Sequence, residues 1–244
     1  MDKIIAILIE CDNVKSLGGS CERDLYNIYQ YLVNNKADQS NIYILTNNIP
    51  YFTKKNIINN LSNNAVNNIE NILKKLNLVN NHNSLFIHIS GHGYQINDAN
   101  KIELDGMSEQ IILSSGALID HQFNSLLKKY IPNNVCLRIS VDTCHSGTFS
   151  NLCYQIDRNN QKIPAIKSPK SFFINAFSIS ACTDGQLDSC DIGSVSGFGG
   201  GLTSHILENN NLTEFLIGDP KKVKDNLTPI LKLLNQEPIL LIDL

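Results

Sequence analysis

The sequence predicts an α/β fold, with a mostly parallel central sheet of about six strands sandwiched by helices. Three observations carry this. Short apolar runs recur along the chain, stretches of helical periodicity separate them, and several runs are apolar at consecutive positions, as in strands covered on both faces.

Ile4 to Ile9 is the first such run. It stops at Glu10 and has neither a basic leader nor a small-residue cleavage site, so it reads as a buried strand rather than a signal peptide. Leu25, Ile28, Tyr29 and Leu32 then repeat at helical spacing, and Ile42 to Leu45 is a second strand. Asn-rich sequence without a repeat period follows, carrying a helix with Val66, Ile69, Ile72, Leu73 and Leu76 on one face. Ser84 to Ser90 is the third strand and Val135 to Val141 the fourth. Between them an apolar helical stripe from Leu118 to Tyr130 ends before Pro132. Phe172 to Ala181 is the fifth strand, Leu202 to Leu207 and Val223 to Leu234 are helical, and Ile239 to Ile242 is the sixth strand. Gln155 to Ser171 is polar, basic and holds two prolines, which marks an exposed, cleavable linker.

Composition narrows the class. With 244 residues, 42% of them hydrophobic, one core and one domain over residues 1–244 are expected. A net charge of -3 with scattered basic residues gives nucleic acid no footprint; the one tight cluster, Lys221, Lys222 and Lys224, reads as a solvated helix face. No apolar run approaches the roughly 20 residues that cross a bilayer. Seven cysteines without a C-x-x-C pair argue against zinc or a thioredoxin-like site. Reduced thiols in a soluble, cytoplasmic monomer are expected.

Two strands end in unusual clusters. The third runs into Ser90-Gly91-His92-Gly93 and the fourth into Asp142-Thr143-Cys144-His145-Ser146-Gly147. Functional groups of open α/β sheets gather beyond the carboxyl ends of strands. The flanking glycines let the backbone at His92 turn sharply and approach a ligand. A thiol needs a neighbouring base to become a thiolate at neutral pH, and adjacent strand ends would bring imidazole and sulfur together. His92 precedes Cys144 by about 50 residues, the spacing caspases use. His145 is the other candidate base, but neighbouring side chains at a strand end diverge. Cys11, Cys136, Cys153, Cys182 and Cys190 have no comparable setting and read as packing residues.

These motifs resemble those of type I metacaspases. SLFIHISGHGYQ is similar to the family's histidine motif and SVDTCHSGTF to its cysteine motif. ISACTDGQ is similar to the segment opening its small-subunit half, NQEPIL to its closing segment, and GSCERDLYNI to its first helix start. The resemblance implies the caspase-hemoglobinase fold, with a large-subunit-like half over residues 1–154, the linker 155–171 and a small-subunit-like half over residues 172–244. It implies a cysteine endopeptidase acting on protein and peptide substrates with Arg or Lys before the cut. His92 would be the general base, Cys144 the nucleophile, and the N–H groups of Gly93 and Cys144 the oxyanion donors. Asp142, Asp24, Ser90 and Cys21 would form the pocket for the basic side chain, and two carboxylates suit a guanidinium or ammonium group. Caspases proper use basic residues there, and none flanks these motifs.

The chain departs from the family's calcium-binding pattern. The acidic stretch after the histidine motif keeps only Glu103, Asp105 and Glu109. The Asp-Asp pair is Asp120-His121, and the acidic residue after the nucleophile is Asn151. Calcium needs several carboxylate oxygens together, so the site reads as degraded and no metal or other cofactor is expected. A second reading follows from the same erosion, a caspase-like interaction module with little turnover.

Overall fold

The computed structural model describes residues 4–11, 19–46, 64–76, 84–113, 116–185, 192–194, 197–232 and 236–243. Strand β1 (Ile4–Cys11) is buried at every position. It pairs in parallel with β2 (Ile42–Leu45) on one side and β3 (Ser84–Gly91) on the other. β3 pairs in parallel with the later strand at Cys136–Thr143, which in turn pairs in parallel with the one at Ala176–Ser180. Alternate residues of β1 enter opposite cores, as the two-residue period of a strand requires. Ile5, Ile7 and Ile9 pack with Ile69, Ile72 and Leu73 of α2 (Ala65–Lys75) and with Phe123 and Leu127 of α3 (Asp120–Tyr130). Ile4, Ala6 and Leu8 pack with Leu25, Ile28 and Leu32 of α1 (Ser20–Asn34), and with apolar residues of three helices that follow the sheet's later strands. The helices therefore cover both faces, in the α/β sandwich expected.

Between β3 and α3 the chain forms a small antiparallel sheet of β4 (Gly93–Asn97), β5 (Met107–Leu113) and β6 (Gly116–Ile119). This sheet was not among the expected elements, because its strands are short and mix exposed with buried positions. The main sheet continues with β7 (Cys136–Thr143), β8 (Tyr154–Ile156), β9 (Lys162–Pro164) and β10 (Ala176–Ser180). A two-stranded ribbon, β11 (Ile192–Ser194) with β12 (Gly197–Gly199), precedes α4 (Gly201–Ile206), α5 (Asn211–Ile217) and α6 (Pro220–Lys232). β13 (Ile239–Asp243) is the last strand.

The main sheet has eight strands in the order β2-β1-β3-β7-β10-β13-β8-β9. The six expected strands are present, with the fifth beginning at Ala176. The two additional strands, β8 and β9, fall on the stretch expected as a linker. β8 pairs antiparallel with β13, opposing Ile156 to Leu240, because Ile156 is buried in the core while its neighbours are polar. Residues 158–164 remain exposed. β7 carries a buried charge, Arg138, which lies 4.6 Å over the Phe177 ring and donates to the Phe215 carbonyl at 2.9 Å and to Asn175 Oδ1 at 3.0 Å. Those partners satisfy a guanidinium that a buried strand would otherwise exclude. Cys190 and the end of the last expected helix, 233–234, lie outside the described residues.

Candidate active site

The sheet turns direction beside β1, with β2 on one side and β3 on the other, and such a switch point opens a crevice at the carboxyl ends of the strands. β3 and β7 are in register there, Ser90 opposite Asp142 and Gly91 opposite Thr143. His92 and Cys144 are the next residues along each strand, so the register brings the two predicted groups to the same edge. Both are partly exposed, whereas Cys11, Cys21, Cys153 and Cys182 are buried. Burial pushes the thiols of Cys11, Cys153 and Cys182 up, the last two to about 11, which keeps them inert.

The glycines around His92 serve backbone contact rather than ligand approach. A Cβ on Gly91 would lie 2.4 Å from the Cys11 carbonyl oxygen, and one on Gly93 would lie 2.0 Å from the Cys144 carbonyl oxygen. His92 N–H donates to the Cys11 carbonyl at 3.0 Å, and the His92 carbonyl accepts from Ile112 N–H at 3.2 Å. That bond makes Gly93 and Ile111 a non-hydrogen-bonded pair of the β4–β5 ladder, so the Gly93 N–H points away from β5.

The loop after Cys144 is held from outside. His145 adopts a left-handed φ of 51°, and its Nδ1 donates to the Asp184 carbonyl at 2.5 Å. Thr148 N–H donates to Asp184 Oδ1 at 2.8 Å, and Thr148 Oγ1 donates to Glu109 Oε2 at 2.6 Å. Asn124 holds the carbonyls of Ser150 and Asn151 at 2.9 and 3.2 Å. The His145 ring is thereby occupied with Asp184. Sequence reasoning missed Asp184, although it lies within the ISACTDGQ motif.

A buried acidic pair lies beneath this edge. Asp24, on the second turn of α1, accepts from Ser90 Oγ at 2.7 Å and from Gly200 N–H at 3.1 Å. Burial and the nearby Asp142 hold its carboxyl well above the usual range. Asp142 Oδ2 accepts from Thr203 N–H at 2.6 Å and Thr203 Oγ1 at 2.5 Å, while its buried Oδ1 has no hydrogen-bond partner among the described residues. Gly200 packs so closely on this carboxylate that a Cβ would fall 2.3 Å from Oδ2. Of the four residues expected in the pocket, Ser90, Asp24 and Asp142 are linked in this way. Cys21 is buried on the first turn of α1, one turn before Asp24.

A second acidic group lies on the other side of the loop. Glu103, Glu109 and Asp120 are buried with oxygens within 4.8 Å of one another. Burial and mutual repulsion push Glu103 up to about 8 and Glu109 to about 9, and Asp184 beside them to about 6. Asp120 Oδ2 accepts Glu109 N–H at 3.0 Å, its Oδ1 accepts from His121, and Glu103 Oε1 has no partner among the described residues.

Residues 5–153 match the family model described as metacaspase, peptidase C14 domain. The chain belongs to the metacaspases. Metacaspase-1 of Plasmodium falciparum is 31% identical over 140 residues, covering 54% of this chain and 23% of that protein. Metacaspase-2 of Arabidopsis thaliana is 33% identical over 126 residues, 47% of this chain and 30% of that protein. The chain thus matches less than a third of the length of these relatives. A solved structure from Geobacter sulfurreducens has the same fold, with a TM-score of 0.58 and 21% identity over 98% of this chain and 92% of that one. Among the described residues of this metacaspase, no helix is long and apolar enough to cross a membrane.

The acidic group generates a stability prediction. Glu103 titrates near 8 when folded against its ordinary 4.5, so the folded chain binds a proton that the unfolded chain releases. That contribution is fully present below about 4.5 and is lost as pH rises towards 8. Glu103→Gln removes the charge and keeps the shape. It is expected to raise Tm by several degrees at pH 8 and to change it little at pH 5. Equal shifts at both pH values in thermal unfolding would contradict this account.

Proposed function

We propose that the chain is a cysteine endopeptidase that cleaves after Arg or Lys through Cys144 and His92. The observation that carries this reading is the register of β3 against β7, which leaves an imidazole and a partly exposed thiol at neighbouring strand ends above a buried acidic pair. His92 takes the thiol proton of Cys144, and the sulfur attacks the carbonyl carbon of the scissile peptide. The N–H groups of Gly93 and Cys144 hold the resulting oxyanion. Collapse breaks the C–N bond, His92 protonates the departing amine, and water then releases the acyl group from sulfur with His92 as base. Asp142 Oδ1, without a partner among the described residues, supports recognition of a cation, since a buried carboxylate oxygen without a donor is costly until a guanidinium or ammonium group supplies one.

With a fluorogenic Arg peptide, Cys144→Ala and His92→Ala are expected to reduce turnover to background with the fold retained. Asp142→Asn should lower kcat/KM for basic substrates by about ten- to a hundredfold, the scale of one charge-assisted contact. A library profile that favours Asp or apolar residues before the cut would overturn the specificity. A folded protein inert towards every peptide and towards a thiol-reactive Arg inhibitor would favour the interaction-module reading.

Self-cleavage between the two halves belongs to the same proposal. Arg158 is held by Glu237 through two hydrogen bonds, and Lys162 lies in β9 with its ammonium 3.9 Å from the Tyr154 ring centre. Lys167 and Lys170 are exposed and outside any strand. Mass spectrometry of purified protein is therefore expected to find ends after Lys167 or Lys170, and none in Cys144→Ala. Ends after Arg158 alone would show that the hairpin opens first.

Calcium independence is also proposed. Calcium takes six to eight oxygens, and the acidic group offers three carboxylates, of which Asp120 and Glu109 already accept protein donors. These residues do not fit a calcium cage, and no step depends on the ion. Turnover of an Arg peptide should change less than twofold or so between chelator and millimolar calcium, the range of weak sites. A saturable tenfold rise abolished by Asp120→Ala would refute this.

A further inference from the structure

His88 lies in the middle of β3 and is fully buried, in a strand whose other positions are apolar or small. The proposed reaction does not use it. Its Nδ1 is 2.8 Å from Ser140 Oγ, its register partner on β7, and its Nε2 is 3.4 Å from Thr203 Oγ1 on α4. Thr203 Oγ1 is in turn 2.5 Å from Asp142 Oδ2. Ser140, His88 and Thr203 are fully buried and Asp142 nearly so, so this is a dry chain of four side chains beneath the acidic pair.

The chemistry of the partners fixes the direction of every bond. Asp142 Oδ2 receives the Thr203 backbone N–H and is therefore an acceptor, so it also takes the single hydroxyl proton of Thr203. The Thr203 oxygen can then only accept from His88, which must carry its proton on Nε2. Nδ1 is left as an acceptor, and Ser140 donates to it. Burial lowers His88 to about 4, which agrees with a neutral ring bearing one proton. The chain therefore runs from Ser140 through His88 and Thr203 to Asp142.

We infer that His88, Ser140 and Thr203 are positioning residues for substrate specificity, a one-way hydrogen-bond chain that anchors Asp142 through Oδ2 so that Oδ1 is kept for the basic side chain of the substrate. This rests on the Arg/Lys reading above. Two features single it out from ordinary core packing. A Leu would fill the same apolar strand without a buried ring needing two polar partners. Asp142 also receives both of its protein donors on one oxygen, with none on the other among the described residues.

The test compares a pair of peptides identical except for Arg or its neutral isostere citrulline before the cut. In the wild type, kcat/KM should favour Arg by a hundredfold or so, the scale of a charge-assisted contact. His88→Leu removes the donor, and Thr203→Val removes the hydroxyl with little change of shape while keeping the backbone N–H. Each is expected to reduce the Arg-over-citrulline ratio about tenfold, mainly through KM for the Arg peptide, in protein with a cooperative thermal transition. His88→Gln, which retains an N–H donor, should recover some of the ratio. Should His88→Leu fail to fold, Thr203→Val alone decides. The second readout is the ¹⁵N spectrum of His88 in Cys144→Ala protein, where the Nε2-protonated neutral tautomer is expected. A wild type that does not distinguish Arg from citrulline overturns the specificity reading itself. A discriminating wild type whose ratio survives Thr203→Val, or a His88 found as the Nδ1 tautomer with the pocket empty, overturns the hydrogen-bond chain alone.

Discussion

Parallel pairing of β3 with β7, from Ser84 opposite Cys136 to Gly91 opposite Thr143, is the constraint on which the rest of the site depends. A parallel ladder delivers both strands to the same edge of the sheet, and its register decides which residues meet there. A slip of one residue would turn the core faces of β7 over, so the apolar residues on both faces hold the register against that cost. The edge is locked again by two backbone contacts, Gly91 against Cys11 and Gly93 against Cys144, each too close for any side chain. Three strand ends are thereby fixed to one another before any reactive side chain is considered.

The loop after Cys144 runs between two buried acidic centres. Asp142 precedes Cys144 and is supplied with donors by Thr203, while Ser90 and Gly200 supply its neighbour Asp24. Beyond the cysteine, Thr148 reaches Glu109 and Asp184, and there the relief comes from protons, because Glu103 and Glu109 titrate well above a glutamic acid in water. In the first centre burial and Asp142 likewise hold the Asp24 carboxyl well above the usual range, and Asp142 keeps one oxygen without a partner among the described residues. The other has Glu103 with an unpartnered oxygen in a group that is held by protonation and that grips the loop.

The sequence made the strands legible because each is a compact apolar run, and the edge legible because glycine, histidine and cysteine at strand ends have few other uses. The expected core faces of α1 and α2 are present, with Leu25, Ile28, Leu32, Ile69, Ile72 and Leu73 buried. Residues that act by tertiary approach left no local mark. Thr203 and Gly200 reach Asp142 from about 60 positions away along the chain, and nothing in GGLTSH distinguishes them from an ordinary helix start. His88 sits in SLFIHIS as one polar residue in an apolar run, which reads equally as a satisfied core histidine. Ile156 alone turns a polar stretch into a strand, and a single apolar residue is too weak a signal to override prolines and charges around it.

The division of labour along the chain gives the linker its physical meaning. His92, Gly93 and Cys144 all precede it, as do Asp24 and Asp142. Part of what holds them in place follows it, Asp184 on the loop, Gly200 on Asp24 and Thr203 on Asp142, while Ser90, Glu109 and Asn124 hold them from the preceding half. The two halves are joined by the parallel β7–β10 ladder, from Leu137 opposite Ala176 to Val141 opposite Ser180. They are joined a second time by β8 against β13, with Ile156 opposite Leu240. A break after Lys167 or Lys170 severs neither ladder, since the hairpin stays with β13 and β10 stays with β7. What it removes is the covalent tie between β9 and β10, while residues 172–175 stay anchored by Phe172 N–H on Asp243, Ile174 N–H on the Asn133 carbonyl, buried Phe173 and the Asn175–Arg138 bond. The supports of the loop after Cys144 follow through β10 into 181–184, so the pairing of β10 with β7 keeps them at the strand edge whether or not the chain between β9 and β10 is continuous.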